Sequence, residues 1–218
     1  DTVPTAPLFL EENFTVRVIE MLRQGELDCA ILADPFPSAG LDFVDLYEEP
    51  FLVAIPKGHE WSDRKSIGQK ELKEQNTLLL GAGHCFRDHV FEVCPELSRY
   101  SQASAGIQKT FEGSSLETIR HMVASGIGVT VLPMMAKPEP AEDGLLAYVP
   151  FEPPTPLRRI SLVWRKSFPR LPAIEAIGFS ETIFFTTSTG SSINPSTIAT
   201  GSTSPVKSCC AGSGFFLV

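Results

Sequence analysis

Apolar residues in this chain recur in two rhythms, short near-continuous runs and spacings of three and four, and their alternation predicts an α/β protein. Residues 8–12 read as a strand. The next segment is expected to be a helix capped by Asn13 or Thr15. Its apolar face carries Val16, Val18, Ile19, Met21 and Leu22, and it closes on Arg23, Gln24 and Gly25. A strand over 26–33 completes a strand–helix–strand unit, which implies a parallel sheet. Cys29 on that strand reads as core. Two more strands are expected at 41–47 and 50–55, the second broken by Pro56-Lys57-Gly58. His59 and Trp61 follow in a polar loop and read as packing or surface. A short helix at 71–75 and a strand at 77–80 lead into a glycine-rich turn and a further helix. The periodicity then weakens over 95–111, a loop with some edge strand.

A clearer helix begins at Ser114 or Ser115, either of which can cap it. Leu116, Ile119, Met122 and Val123 supply its apolar face, and Gly126 ends it. His121 is placed on or near that face in a structural role. A buried strand over 128–132 follows. Strands at 146–150 and 159–164 flank a proline-rich crossover, 152–156. More than one passage between two βα-rich segments predicts two subdomains, 1–56 with 159–177, and 57–158. The segment 178–218 is rich in Ser and Thr, with Glu181 and Lys207 its only charged residues. Such sequence buries too little surface to offset its ordering entropy, so this tail is expected to be largely disordered, and Cys209 and Cys210 in it carry no role.

Composition narrows the function. The chain has 218 residues, 43% of them apolar and 20% charged, enough to bury a core. A formal charge of −8 without a basic stripe argues against direct nucleic-acid binding by this chain. No long apolar run or charged-then-apolar leader occurs, so neither a membrane span nor secretion is expected. Five cysteines without a disulfide framework suit a reducing cytoplasm. No Cys-x-x-Cys pair is answered by a second, and the four histidines are dispersed, so neither metal nor cofactor is expected.

The chemistry concentrates in Gly81-Ala-Gly-His-Cys-Phe-Arg-Asp-His-Val-Phe-Glu-Val-Cys-Pro95. Cys85 falls in the first turn of the helix, where unfilled backbone N–H groups and the helix dipole favour a thiolate. His84, Arg87 and His89 can add positive charge. Nine helical residues set Cys94 about 13 Å along the axis, whereas a disulfide needs Cα atoms within about 7 Å. If the two pair, the helix between them must unwind, and Pro95 already weakens its far end. The plainer alternative is a pair of inert core cysteines. The hydroxyl-bearing helix start at Ser114 and Ser115 is either a simple cap or a cleft site for a small polar ligand.

The turn Gly83-His-Cys-Phe-Arg-Asp88, its partner cysteine and the run Ser-Ser-Leu-Glu-Thr-Ile-Arg-His-Met-Val-Ala-Ser-Gly resemble the peroxide-sensing LysR-type transcription regulators, from about residue 8 to 177. The resemblance implies two Rossmann-like subdomains, similar to type 2 periplasmic binding proteins and joined by a double-crossing hinge, with the first incomplete here. It implies that peroxide oxidises Cys85 to a sulfenic acid and that Cys94 resolves it to a disulfide. Thr15, His84, Arg87, Asp88 and Arg158 fall on positions lining the family's peroxide pocket. The implied partners are hydrogen peroxide, further copies as a dimer or tetramer, promoter DNA and RNA polymerase through the intact regulator, and glutaredoxin or thioredoxin as reductant. The family's winged helix-turn-helix and first regulatory strand and helix are not in this sequence, and the tail stands where its final helix should continue, as a shifted reading frame would produce. Two other functions compete: an inducer-binding regulatory domain with incidental cysteines, and a thiol peroxidase. The chemistry that the resemblance implies, one oxidation followed by slow reduction, favours a sensor over an enzyme.

Overall fold

The computed structural model describes residues 9–98, 115–137, 144–178 and 214–217. The chain divides into two compact units, one of residues up to Glu48 and from Arg159 onward, the other Glu49–Arg158. The sequence pattern places 49–56 in the first unit. Those residues instead continue into the second unit's core, where Phe51, Leu52, Val53, Ala54 and Ile55 are all buried.

In the first unit, β1 (Leu10–Asn13) leads through α1 (Thr15–Gln24) to β2 (Cys29–Ala33). β7 (Leu157–Arg165) pairs antiparallel with β2, and α4 (Leu171–Gly178) follows it. Helix α1 buries Val18, Ile19, Met21 and Leu22 against Leu27, Ala30, Leu32 and Val163. Val16, expected on that face, is exposed, because it lies about half a turn from Val18, where the buried stripe begins. The expected caps also differ: Phe14 is the N-cap residue, and Asn13 accepts from the Phe14 N–H through Oδ1.

The expected parallel pairing of β1 with β2 is replaced by a third strand. Gly214–Leu217, in the tail expected to be disordered, forms β8 and pairs antiparallel with both. The two strands of the βαβ unit therefore run in the same direction with β8 between them. The intervening 179–213 lie outside the described residues. On β2, Cys29 is fully buried, and burial, with Asp28 adding to it, pushes its thiol up to about 12. It is a neutral core residue.

In the second unit, the expected pair of strands at 41–47 and 50–55 is one strand, β3 (Leu41–Pro56), which carries the chain from the first unit into the second. Pro50 does not break it, since proline's fixed φ is compatible with extended backbone. The sheet order is β6-β3-β5-β4, built from β4 (Thr77–Leu78), β5 (Val129–Pro133) and β6 (Leu146–Pro150). β4 and β5 pair in parallel and the other contacts are antiparallel. A 3-10 helix (Gln69–Glu74) precedes β4, and α2 (Cys85–Val93) and α3 (Leu116–Ala124) pack on the sheet. α2 gives this core Phe86 and Val90; α3 gives it Leu116, Ile119 and Val123. His121, expected at α3's apolar face, is instead exposed beside Glu117.

Candidate functional site

The site is built on α2. Gly83 has φ +96°, a left-handed conformation that suits glycine, and it turns the chain from β4 into the helix. His84 is the N-cap residue, its backbone extended and its side chain buried, and it makes no side-chain cap bond. Cys85 is the first helical residue and is partly exposed. Nine residues later Cys94 is the C-cap, 1% exposed and packed into the core. Both thiols are free. The intervening helix holds them about 13 Å apart along its axis, beyond disulfide reach.

The two sulfurs stand in unlike surroundings. Burial raises the Cys94 thiol above its ordinary value, and the Glu96 carboxylate adds to this, while the Leu97 N–H works the other way. Cys94 Sγ donates to Glu96 Oε2 at 3.6 Å. At the other end, Arg87 donates to the Leu80 carbonyl at 3.3 Å and lies 5.3 Å from the centre of the Phe91 ring. Its guanidinium is thus turned along the helix. Asp88 is exposed in the first turn, and His89 is buried on the inner side. A shallow, mostly apolar indentation is lined by Leu78–Leu80, Phe86, Arg87, Leu116 and Thr130 among others.

Arg158 meets α2 at Phe86. Its guanidinium sits 5.2 Å from the Phe86 ring centre and pairs with Glu49, Nε and Nη2 both at 2.7 Å from Oε2. Glu49 Oε1 accepts from the Met135 N–H at 3.3 Å. Both side chains are almost fully buried, 3% and 1% exposed. Desolvation raises the Glu49 carboxyl above its ordinary value, opposed by Arg158. Phe86 also meets Phe51 edge-on at 5.3 Å.

The structure thus gathers His84, Cys85, Arg87 and Asp88 at one helix end and sets Arg158 behind the residue that follows Cys85. Thr15 opens α1 in the first unit. Ser115 is the N-cap of α3, its hydroxyl accepting from the Thr118 N–H at 3.2 Å, so it serves the cap; Ser114 lies outside the described residues. Three residues escaped the sequence reading: Glu49, Phe86 and Glu96. Glu49 did leave a signal, a carboxylate opening an apolar strand, which requires a buried partner. Among the described residues there is no cluster of three or more metal-ligating side chains and no helix long and apolar enough to cross a membrane.

Two α/β units sharing two strand passages, with a thiol at each end of one short helix, define a regulatory domain of the substrate-binding class. The chain belongs to the LysR substrate binding domain family, whose model matches residues 2–178. It is similar to a reduced form of OxyR from N. meningitidis, 42% identical with a TM-score of 0.75 over 81% of each chain. It is also similar to an oxidised form of OxyR, 34% identical with a TM-score of 0.62 over 76% of each chain. Among curated relatives it is 38% identical to the DNA-binding transcriptional dual regulator OxyR of Escherichia coli K12, over 77% of this chain and 53% of that protein. The chain spans about half the length of the curated relatives it matches.

Proposed function

We propose that this chain is the hydrogen-peroxide-sensing regulatory part of an OxyR-like transcription regulator, and that Cys85 and Cys94 are its switch. The observation that carries the reading is the placement of a partly exposed thiol and a buried one at opposite ends of one intact nine-residue helix. Peroxide can approach the first and not the second. Attack by Cys85 sulfur on peroxide forms an S–O bond and breaks the O–O bond, leaving a sulfenic acid and releasing water. Cys94 then displaces the hydroxyl to form the disulfide. The helix must unwind for this, so oxidation becomes a change of shape. That solved relatives are described as reduced and oxidised forms supports the same chemistry.

In this reading the chain is a sensor and not an enzyme, its disulfide being returned to thiols by glutaredoxin or thioredoxin. Self-association, promoter DNA and RNA polymerase are the partners of the whole regulator, in a cytoplasm that keeps Cys29, Cys85 and Cys94 free. The test is a peptide mass map after one equivalent of peroxide. A Cys85–Cys94 linkage is expected, and Cys85→Ser abolishes it; both thiols free after treatment would refute the reading. Ser115's use in its own cap weighs against an inducer held there.

A further inference from the structure

Cys94 has to lose a proton before it can attack, and its surroundings oppose this. The thiol is 1% exposed, and burial raises it, so at neutral pH it is the neutral, non-nucleophilic form. Yet one acceptor already holds that proton: Glu96 Oε2, 3.6 Å from Cys94 Sγ. Glu96 is half-buried, and its carboxyl is held below the ordinary value by a backbone N–H first, then by the Cys94 thiol and by the charges of Lys73 and Lys70 on the 3-10 helix. It is therefore ionised and able to accept.

Sequence adjacency makes this contact unlike the others around Cys94. Cys94 lies in a core cluster that also draws residues from β3, β4 and β5, an arrangement that the unwinding of α2 would change. Glu96 is two residues away, separated only by Pro95, whose ring restricts the backbone between them. Residues 95–98 are helical in their own right, beyond the end of α2. The base travels with the thiol.

We propose that Glu96 is the general base of the resolving step, a catalytic residue in contact with the reacting sulfur; this rests on the disulfide reading given above. As Cys94 attacks, its S–H bond breaks and the proton passes to Glu96 Oε2. The new S–S bond forms while the Cys85 S–O bond breaks, and the departing hydroxide takes the proton back from Glu96 as water. Over both steps, two thiols and one hydrogen peroxide give one disulfide and two waters. At rest the same carboxylate disfavours a thiolate at Cys94, which keeps peroxide chemistry at Cys85.

The experiment follows the full chain after peroxide addition, by acid quench and intact mass, for wild type, Glu96→Gln and Glu96→Asp. Each is measured alone and in a Glu92→Gly background, where α2 is weakened and unwinding does not hide the chemistry. With Glu96→Gln the disulfide step is expected to slow by about a hundredfold at neutral pH, the lower end of general-base effects. Sulfenic acid on Cys85, trapped with dimedone, accumulates, and the rate climbs steeply with pH as hydroxide takes over. Glu96→Asp recovers part of the rate. An unchanged or faster disulfide step in Glu96→Gln in both backgrounds overturns the proposal while leaving the switch intact. Failure of the wild-type chain to form the bond at all overturns the switch and, with it, the role of Glu96. Unchanged thermal unfolding of Glu96→Gln separates chemistry from a structural effect.

Discussion

Helices α2 and α3 are each nine residues long, lie in the same unit and press apolar side chains into the same core, yet their ends are made differently. α3 begins with a serine whose hydroxyl satisfies the Thr118 N–H, and it carries Glu117 in its first turn, paired with Arg120 at 2.7 Å. It closes on Gly126, left-handed at φ +78°, with the Gly126 and Ile127 N–H groups returning to the Val123 and Met122 carbonyls. α2 has no side-chain bond at its N-cap and no basic residue in its last turn, and where α3 runs from Ser125 into Gly126, α2 runs from its C-cap Cys94, at φ −135°, into Pro95. α3 is fastened by cap bonds at both ends, whereas the ends of α2 rest on the burial of His84 and Cys94 and on the Cys94 N–H bond to the Val90 carbonyl. The lesson is that lability can be placed in the terminal residues of a helix while its core contacts stay ordinary.

The largest expected effect cuts the fastening beneath α2. Glu49→Gln leaves the Arg158 charge buried against Phe86 without its anionic partner, and about 3–5 kcal/mol of stability is expected to be lost in urea unfolding. A loss under about 1 kcal/mol would show that the buried charge finds water readily. Next, glycine at exposed positions should separate the two helices. Glu92→Gly in α2 and His121→Gly in α3 cost about 0.6 and about 0.4 kcal/mol of helix propensity. Only the first is expected to speed disulfide formation after peroxide, by roughly threefold, the equivalent of that energy. Equal effects from both would erase the distinction. Smallest is the cap itself: Ser115→Ala is expected to lower stability by about 0.5–1 kcal/mol in the same assay and to leave the disulfide rate alone.

These same ends explain what the sequence could tell. Ser115 and Gly126 punctuate α3 so strongly that its bounds were legible from residue types alone, and β6 emerged at the expected residues because its apolar run is local. Gly83 and the following cysteine likewise announced the start of α2. Partners distant along the chain left no such trace. β8 lies far down a polar tail, and its pairing with β1 and β2 depends on contacts made across most of the sequence. The resemblance names Arg158 as a pocket residue, but its bond to Glu49, 109 positions away, had no trace in the sequence. His121 sat near the apolar spacing of α3, and only the sheet's position shows that its side of the helix faces water.

The Glu49–Arg158 pair under Phe86 bears on how reversible such a device can be. Were Phe86 drawn away with an opening α2, a phenyl ring would become wet, which is unfavourable, but so would two ions until then denied hydration, which is favourable. On the proposed switch, the opposing contributions would flatten the difference between closed and open forms, so that one sulfur–sulfur bond would suffice to hold the chain open and its reduction to let it shut.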